Sequence, residues 1–122
     1  MGVAAFVGAP VLALIVNGLS PGNTVVVGCH GSGCPFSRHT SAITASHPCG
    51  QKQAANCKPP GTLDLTPPFR GHRLLVGARI TVAITSPGGI GKYYRFTVRA
   101  RRGPRIDIAC LAPGATLPGG GC

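Results

Sequence analysis

Residues 79–85, RITVAIT, and residues 93–101, YYRFTVRAR, decide how this chain is read. In the first, Ile80, Val82 and Ile84 fall on one face, while Arg79, Thr81, Ala83 and Thr85 fall on the other. In the second, Tyr94, Phe96, Val98 and Ala100 alternate with Arg95, Thr97, Arg99 and Arg101. A period of two with one polar face predicts half-solvated antiparallel strands, because successive side chains of a strand point to opposite sides. Pro87-Gly88-Gly89 between the runs supplies the chain reversal.

Working outward, residues 11–16 (VLALIV) and 24–29 (TVVVGC) read as buried strands joined through the turn-rich NGLSPGN. Residues 37–45 are polar and compatible with a strand. Leu63-Asp64-Leu65 is a short apolar segment, and residues 106–111 (IDIACL) form a last strand. Residues 1–9 are read as a linker or a truncated start, and 10–122 as a single module. Residues 46–61 form an inserted loop carrying its own cysteine pair. The apolar stretch from residue 4 to 16 has no preceding Lys or Arg and no clear cleavage site, so it is read as strand rather than signal peptide. It is also shorter than the roughly 20 residues that span a bilayer. An export signal is therefore expected outside this chain.

Composition agrees with that reading. The chain has 122 residues, 19 of them Gly and 12 Pro, and no stretch of helical periodicity escapes both. Apolar residues make up 43%, sufficient for a core. The expectation is an all-β domain, a small antiparallel immunoglobulin-like β-sandwich with disulfides.

Six cysteines, at 29, 34, 49, 57, 110 and 122, point to an oxidising compartment, secreted or at a cell surface. Spacing favours neighbours: Cys29 with Cys34, Cys49 with Cys57, Cys110 with Cys122. A long-range bridge such as Cys29 to Cys110 stays open. Each short bridge is worth roughly 2–3 kcal/mol. Cys29, His30, Cys34, His39 and His47 also invite a zinc reading, but C-x4-C-x4-H fits no strong finger pattern and disulfides account for the sulfurs.

Twelve Lys and Arg face two carboxylates, Asp64 and Asp107, for a net charge of +10. Lys92, Arg95, Arg99, Arg101, Arg102 and Arg105 follow one another along one strand and its continuation. Arg79, and Arg73 beside it, extend the patch from a neighbouring strand. Outward positions about 6.6 Å apart would let several guanidiniums meet one polymer. The bland account is charge that guards an exposed strand against aggregation. Catalysis has little to work with. There is no G-x-S-x-G elbow, and each Asp sits between apolar strand residues as a solvent-facing position or an Arg partner. Gly88-Gly89-x-Gly91-Lys92 lacks the spacing of a phosphate loop and reads as a turn. No enzyme activity and no cofactor are expected.

The element GLSPGNTVVVGCHGSGCPF, together with LLVGARITVAITSPGGIGKYYRFTVRARRGPR and CLAPGATLPGGGC, resembles a module at the carboxyl ends of secreted and surface proteins of actinobacteria. The resemblance covers about residues 11–122; residues 46–60 depart from it through their extra cysteine pair. It implies an immunoglobulin- or fibronectin-like repeat without catalytic residues. The function expected is an extracellular interaction module binding an anionic partner, such as a cell-wall or other extracellular polymer. Nucleic acid is a weaker partner, because aromatic residues are only 5%. The alternatives are a structural spacer that self-associates or joins neighbouring modules, and a small zinc-binding domain.

Overall fold

A computed structural model describes residues 2–7, 11–43, 61–115 and 117–119 of the chain. Two antiparallel sheets hold about half of them, and turns and loops the rest. The smaller contains β1 (Gly2–Val7), β2 (Val11–Asn17) and β5 (Leu63–Asp64), in the order β1-β2-β5. The larger contains β3 (Thr24–His30), β4 (Arg38–Ala42), β6 (Arg79–Thr85), β7 (Gly91–Thr97) and β8 (Arg105–Leu111), in the order β4-β3-β6-β7-β8. A 3-10 turn at Pro67–Phe69 follows β5. Among the described residues no helix is long and apolar enough to cross a membrane.

The alternation read in the sequence is realised in the core. Ile80, Val82 and Ile84 of β6 are fully buried, opposite Cys29, Val27 and Val25 of β3 on one side and Phe96, Tyr94 and Lys92 of β7 on the other. Leu14 and Val16 of β2, with Leu65 just beyond β5, join these side chains in one cluster, so the two sheets pack face to face. Each buried Val, Leu or Ile contributes about 1.5–3 kcal/mol relative to exposure. Phe69 plugs one end of the core, its ring 5.1 Å from that of Phe36. Beyond the short β2–β5 pairing, the Thr66 hydroxyl accepts a buried hydrogen bond from the Leu14 amide at 3.0 Å.

Two readings need correction. Residues 2–7 are not a linker: they form β1, paired with β2 from Gly2↔Asn17 to Val7↔Val11. Pro10 reads as a boundary, but two apolar runs flanking Gly8-Ala9-Pro10 suit a pair of adjacent antiparallel strands equally well. The arginine strand is also shorter than its alternation suggests. β7 ends at Thr97, and the ladder gives one further step, the Val98 amide donating to the Ala78 carbonyl at 2.9 Å. The chain then turns, with Arg101 at a positive φ of 56° and Ala100 exposed.

Cys29 and Cys34 are joined, with Cα atoms 5.6 Å apart. Cys110 is also disulfide-bonded. The pairings proposed for Cys49, Cys57 and Cys122, and the inserted loop itself apart from Gly61, lie outside the described residues.

Candidate functional site

Antiparallel register places directly opposed residues on the same face, so the outer surface of the five-stranded sheet can be read in rows. One row runs His30, Arg79, Thr97, Arg105 across β3, β6, β7 and β8. The next runs Arg38, Gly28, Thr81, Arg95, Asp107 across β4, β3, β6, β7 and β8. With neighbouring strands about 4.8 Å apart, Arg79, Arg95 and Arg105 converge from three consecutive strands.

With Gly77, Thr97 and Asp107 they line a shallow, open hollow of about 350 Å³. Asp107 is the carboxylate of this surface. Its Oδ2 lies 3.2 Å from an Arg95 terminal nitrogen, and its Oδ1 lies 3.5 Å from Arg105 Nε. These pairs are partly exposed and contribute little to stability. They tie the Arg95 and Arg105 guanidiniums to one carboxylate within the hollow that Arg79 also lines. Arg79 and Arg38 have no ion-pair partner among the described residues. The Arg95 Nε is buried without a hydrogen-bond partner, while the rest of the side chain lines the hollow.

The remaining cations take other places. Lys92 lies on the opposite, inner face, in register with Ile84 and Cys110: the parity that sends Tyr94 and Phe96 inward sends Lys92 there too. Arg99, Arg101 and Arg102 belong to the turn between β7 and β8 rather than to the strand. Arg99 Nε donates to the Gly103 carbonyl at 2.9 Å. That turn adjoins the row of Thr97 and Arg105, so it extends the basic surface at one end of the sheet. Arg73 is exposed, in the segment before β6.

A second groove, of about 390 Å³, opens on the same face, and Arg79 lines both. Arg38, His30 and Tyr93 are the residues the sequence reading did not assign to the site. Their positions follow from β3 pairing with β4 and β6 together, and no local pattern encodes that pairing. The face parity of β7 alone would have separated Tyr93, outward, from Tyr94, which is buried.

The Cys/His cluster resolves differently. Both sulfurs at its start are consumed in the Cys29–Cys34 bridge. His30 and His39 fall on opposite faces of the sheet, one opposite Arg79 and the other opposite Val27. Among the described residues no group of three or more potential ligands converges; His47 lies outside them.

The two carboxylates are engaged. Asp107 serves Arg95 and Arg105, and Asp64 Oδ1 accepts from the Thr66 amide at 2.9 Å. Comparison with known proteins finds no match, neither a family model nor a curated protein nor a solved structure.

Proposed function

We propose that this domain is a non-catalytic extracellular interaction module of the immunoglobulin-like class, and that it binds an anionic polymer through the outer face of its five-stranded sheet. The observation that carries the proposal is the convergence of Arg79, Arg95 and Arg105 around one hollow that contains one carboxylate. Charge-assisted contacts from several guanidiniums sum on a polymer, and both approach and affinity weaken as salt screens them. Arg99, Arg101 and Arg102 widen the patch at its turn end, and Lys92 stands apart from it.

The strand order supports the class. Lettered in chain order, β1, β2 and β5 correspond to strands A, B and E of an immunoglobulin sandwich, and β3, β6 and β7 to C, F and G. β4 lies beside β3, and β8 adds a strand beyond β7. The bridge that in antibody domains joins B to F is missing here: β2 and β6 contribute Leu14, Val16, Ile80 and Val82 at those depths. A fibronectin-like variant of the class accommodates that difference. A disulfide in a domain of this size supports an oxidising, extracellular setting.

The test is titration of the purified domain with long-chain inorganic polyphosphate. Arg79→Ala with Arg105→Ala is expected to weaken binding at least about tenfold, and raising salt from ~50 to ~500 mM to do the same. Binding indifferent to both changes rejects the proposal.

A second reading, a self-associating structural unit, has one observation in its favour. Ile106 and Ile108 of the edge strand β8 are 52% and 60% exposed, on the face that should be inward. Sedimentation showing a salt-insensitive, concentration-dependent dimer that Ile108→Lys abolishes would establish it; a monomer at high concentration would dismiss it.

A further inference from the structure

The second groove differs in chemistry from the arginine hollow beside it. Its floor is formed by small residues of β3 and β6, among them Gly28, Thr81 and Ala83. Gly28 keeps the floor low: a Cβ at this position would stand 2.6 Å from the Thr81 hydroxyl oxygen, so a larger residue would oblige Thr81 to shift. Tyr93 lines the groove from β7 and Arg38 from β4. Leu117, from the segment that returns after β8, also borders it. At about 390 Å³ the groove is at the lower end of the range for small-molecule sites. Tyr93 and Arg95 are two residues apart on one strand, about 6.6 Å, so groove and hollow form one continuous track.

We propose, building on the basic-face reading above, that this groove is a sugar-ring subsite, and that the anionic partner is an acidic polysaccharide. A bare polyanion requires only cations. It has no use for an aromatic wall, a floor of small residues or a bordering leucine. A pyranose ring has a C–H face that packs on an aromatic ring and an aliphatic floor, and a rim of hydroxyls that exchange hydrogen bonds with Ser37, Thr81 and His30. Its carboxylate or sulfate reaches Arg38 on one side or Arg79 on the other, and the next acidic unit reaches the arginine hollow. Nucleic acid fits less well, since the described outer face offers one aromatic ring and successive bases stack on several.

The experiment compares four polymers on the intact chain by calorimetry: polygalacturonate, dextran sulfate, long-chain polyphosphate and an oligothymidylate. The variants are Tyr93→Ala, Tyr93→Phe and Arg79→Ala, each checked for native secondary structure. Arg79→Ala should weaken the glycans and polyphosphate alike, by about tenfold. Tyr93→Ala should weaken at least one glycan by about fivefold while leaving polyphosphate within about twofold, and Tyr93→Phe should restore glycan binding. Should Tyr93→Ala misfold, retention of glycan binding by Tyr93→Phe together with its loss in Tyr93→Leu supports the subsite in its place.

The sugar-ring subsite is overturned if neither glycan binds while polyphosphate does. It is equally overturned if glycan binding ignores Tyr93, or if the oligothymidylate binds more tightly with the same Tyr93 dependence. If no polymer binds, or Arg79→Ala changes nothing, the basic-face reading itself falls and takes the subsite with it.

Discussion

Asn23 shows how one side chain can fasten two distant turns. It is buried, and its carboxamide oxygen accepts from the Ser20 amide at 2.7 Å. Its nitrogen donates to Ser86 Oγ at 2.7 Å and to the Thr85 carbonyl at 3.4 Å. The turn before β3 is thereby tied to the end of β6. Asn23→Ala leaves those groups unpaired in a partly buried site and should cost about 2–3 kcal/mol, measured by urea denaturation. NGLSPGN is plainly a turn from sequence, because Asn, Gly, Ser and Pro each favour one. The far end of Asn23's hydrogen bonds lies about sixty residues away, and nothing in the local pattern announces it. Gly33 is similar. It has a φ of +95°, and a Cβ there would collide with the Arg73 carbonyl. Gly33→Ala should therefore destabilise by more than the ~1 kcal/mol of a strained backbone alone, with loss of the approach of residues 31–34 to residue 73.

At the scale of elements, what the sequence displayed was periodicity, and what it concealed was where periodicity stops mattering. Ile80, Val82 and Ile84 are buried as their alternation requires, and Tyr94 and Phe96 with them. Val98 still follows its alternation into the core, but Arg99, Ala100 and Arg101 continue the same pattern after the backbone has left the sheet. Composition alone cannot register a change in φ. The basic site was legible in part for the same reason. Arg79, Arg95 and Arg105 reach one hollow, yet they do so from three strands rather than along one. β1 went unread because its apolar residues precede a proline, which marks a boundary in most contexts. The Cys29–Cys34 bridge was favoured by spacing and is present. Replacing both cysteines by alanine should cost about 2 kcal/mol, since the loop is short. The denaturation midpoint under non-reducing conditions would measure it.

The whole molecule carries +10 on 122 residues, and that excess acts on folding and binding with opposite sign. Like charges crowd together on folding, so screening them should raise the unfolding free energy, by about 1 kcal/mol between ~20 and ~500 mM NaCl. The same salt should weaken polyanion binding. Thermal denaturation and titration across one salt series would show the two trends diverging, and a fold that loses stability as salt rises would contradict this charge balance.

The central ladder of the larger sheet joins β3 to β6, from Thr24↔Thr85 to His30↔Arg79, across a wide gap in the chain. Such a pairing must wait for a long segment to close before any contact rewards it, so assembly should be slow, on the order of milliseconds to seconds. The bridge between Cys29 and Cys34 needs no such closure. During oxidative refolding it can form at the end of a strand still without its partner, and the order of events would be oxidation at that corner first and sheet zippering afterwards.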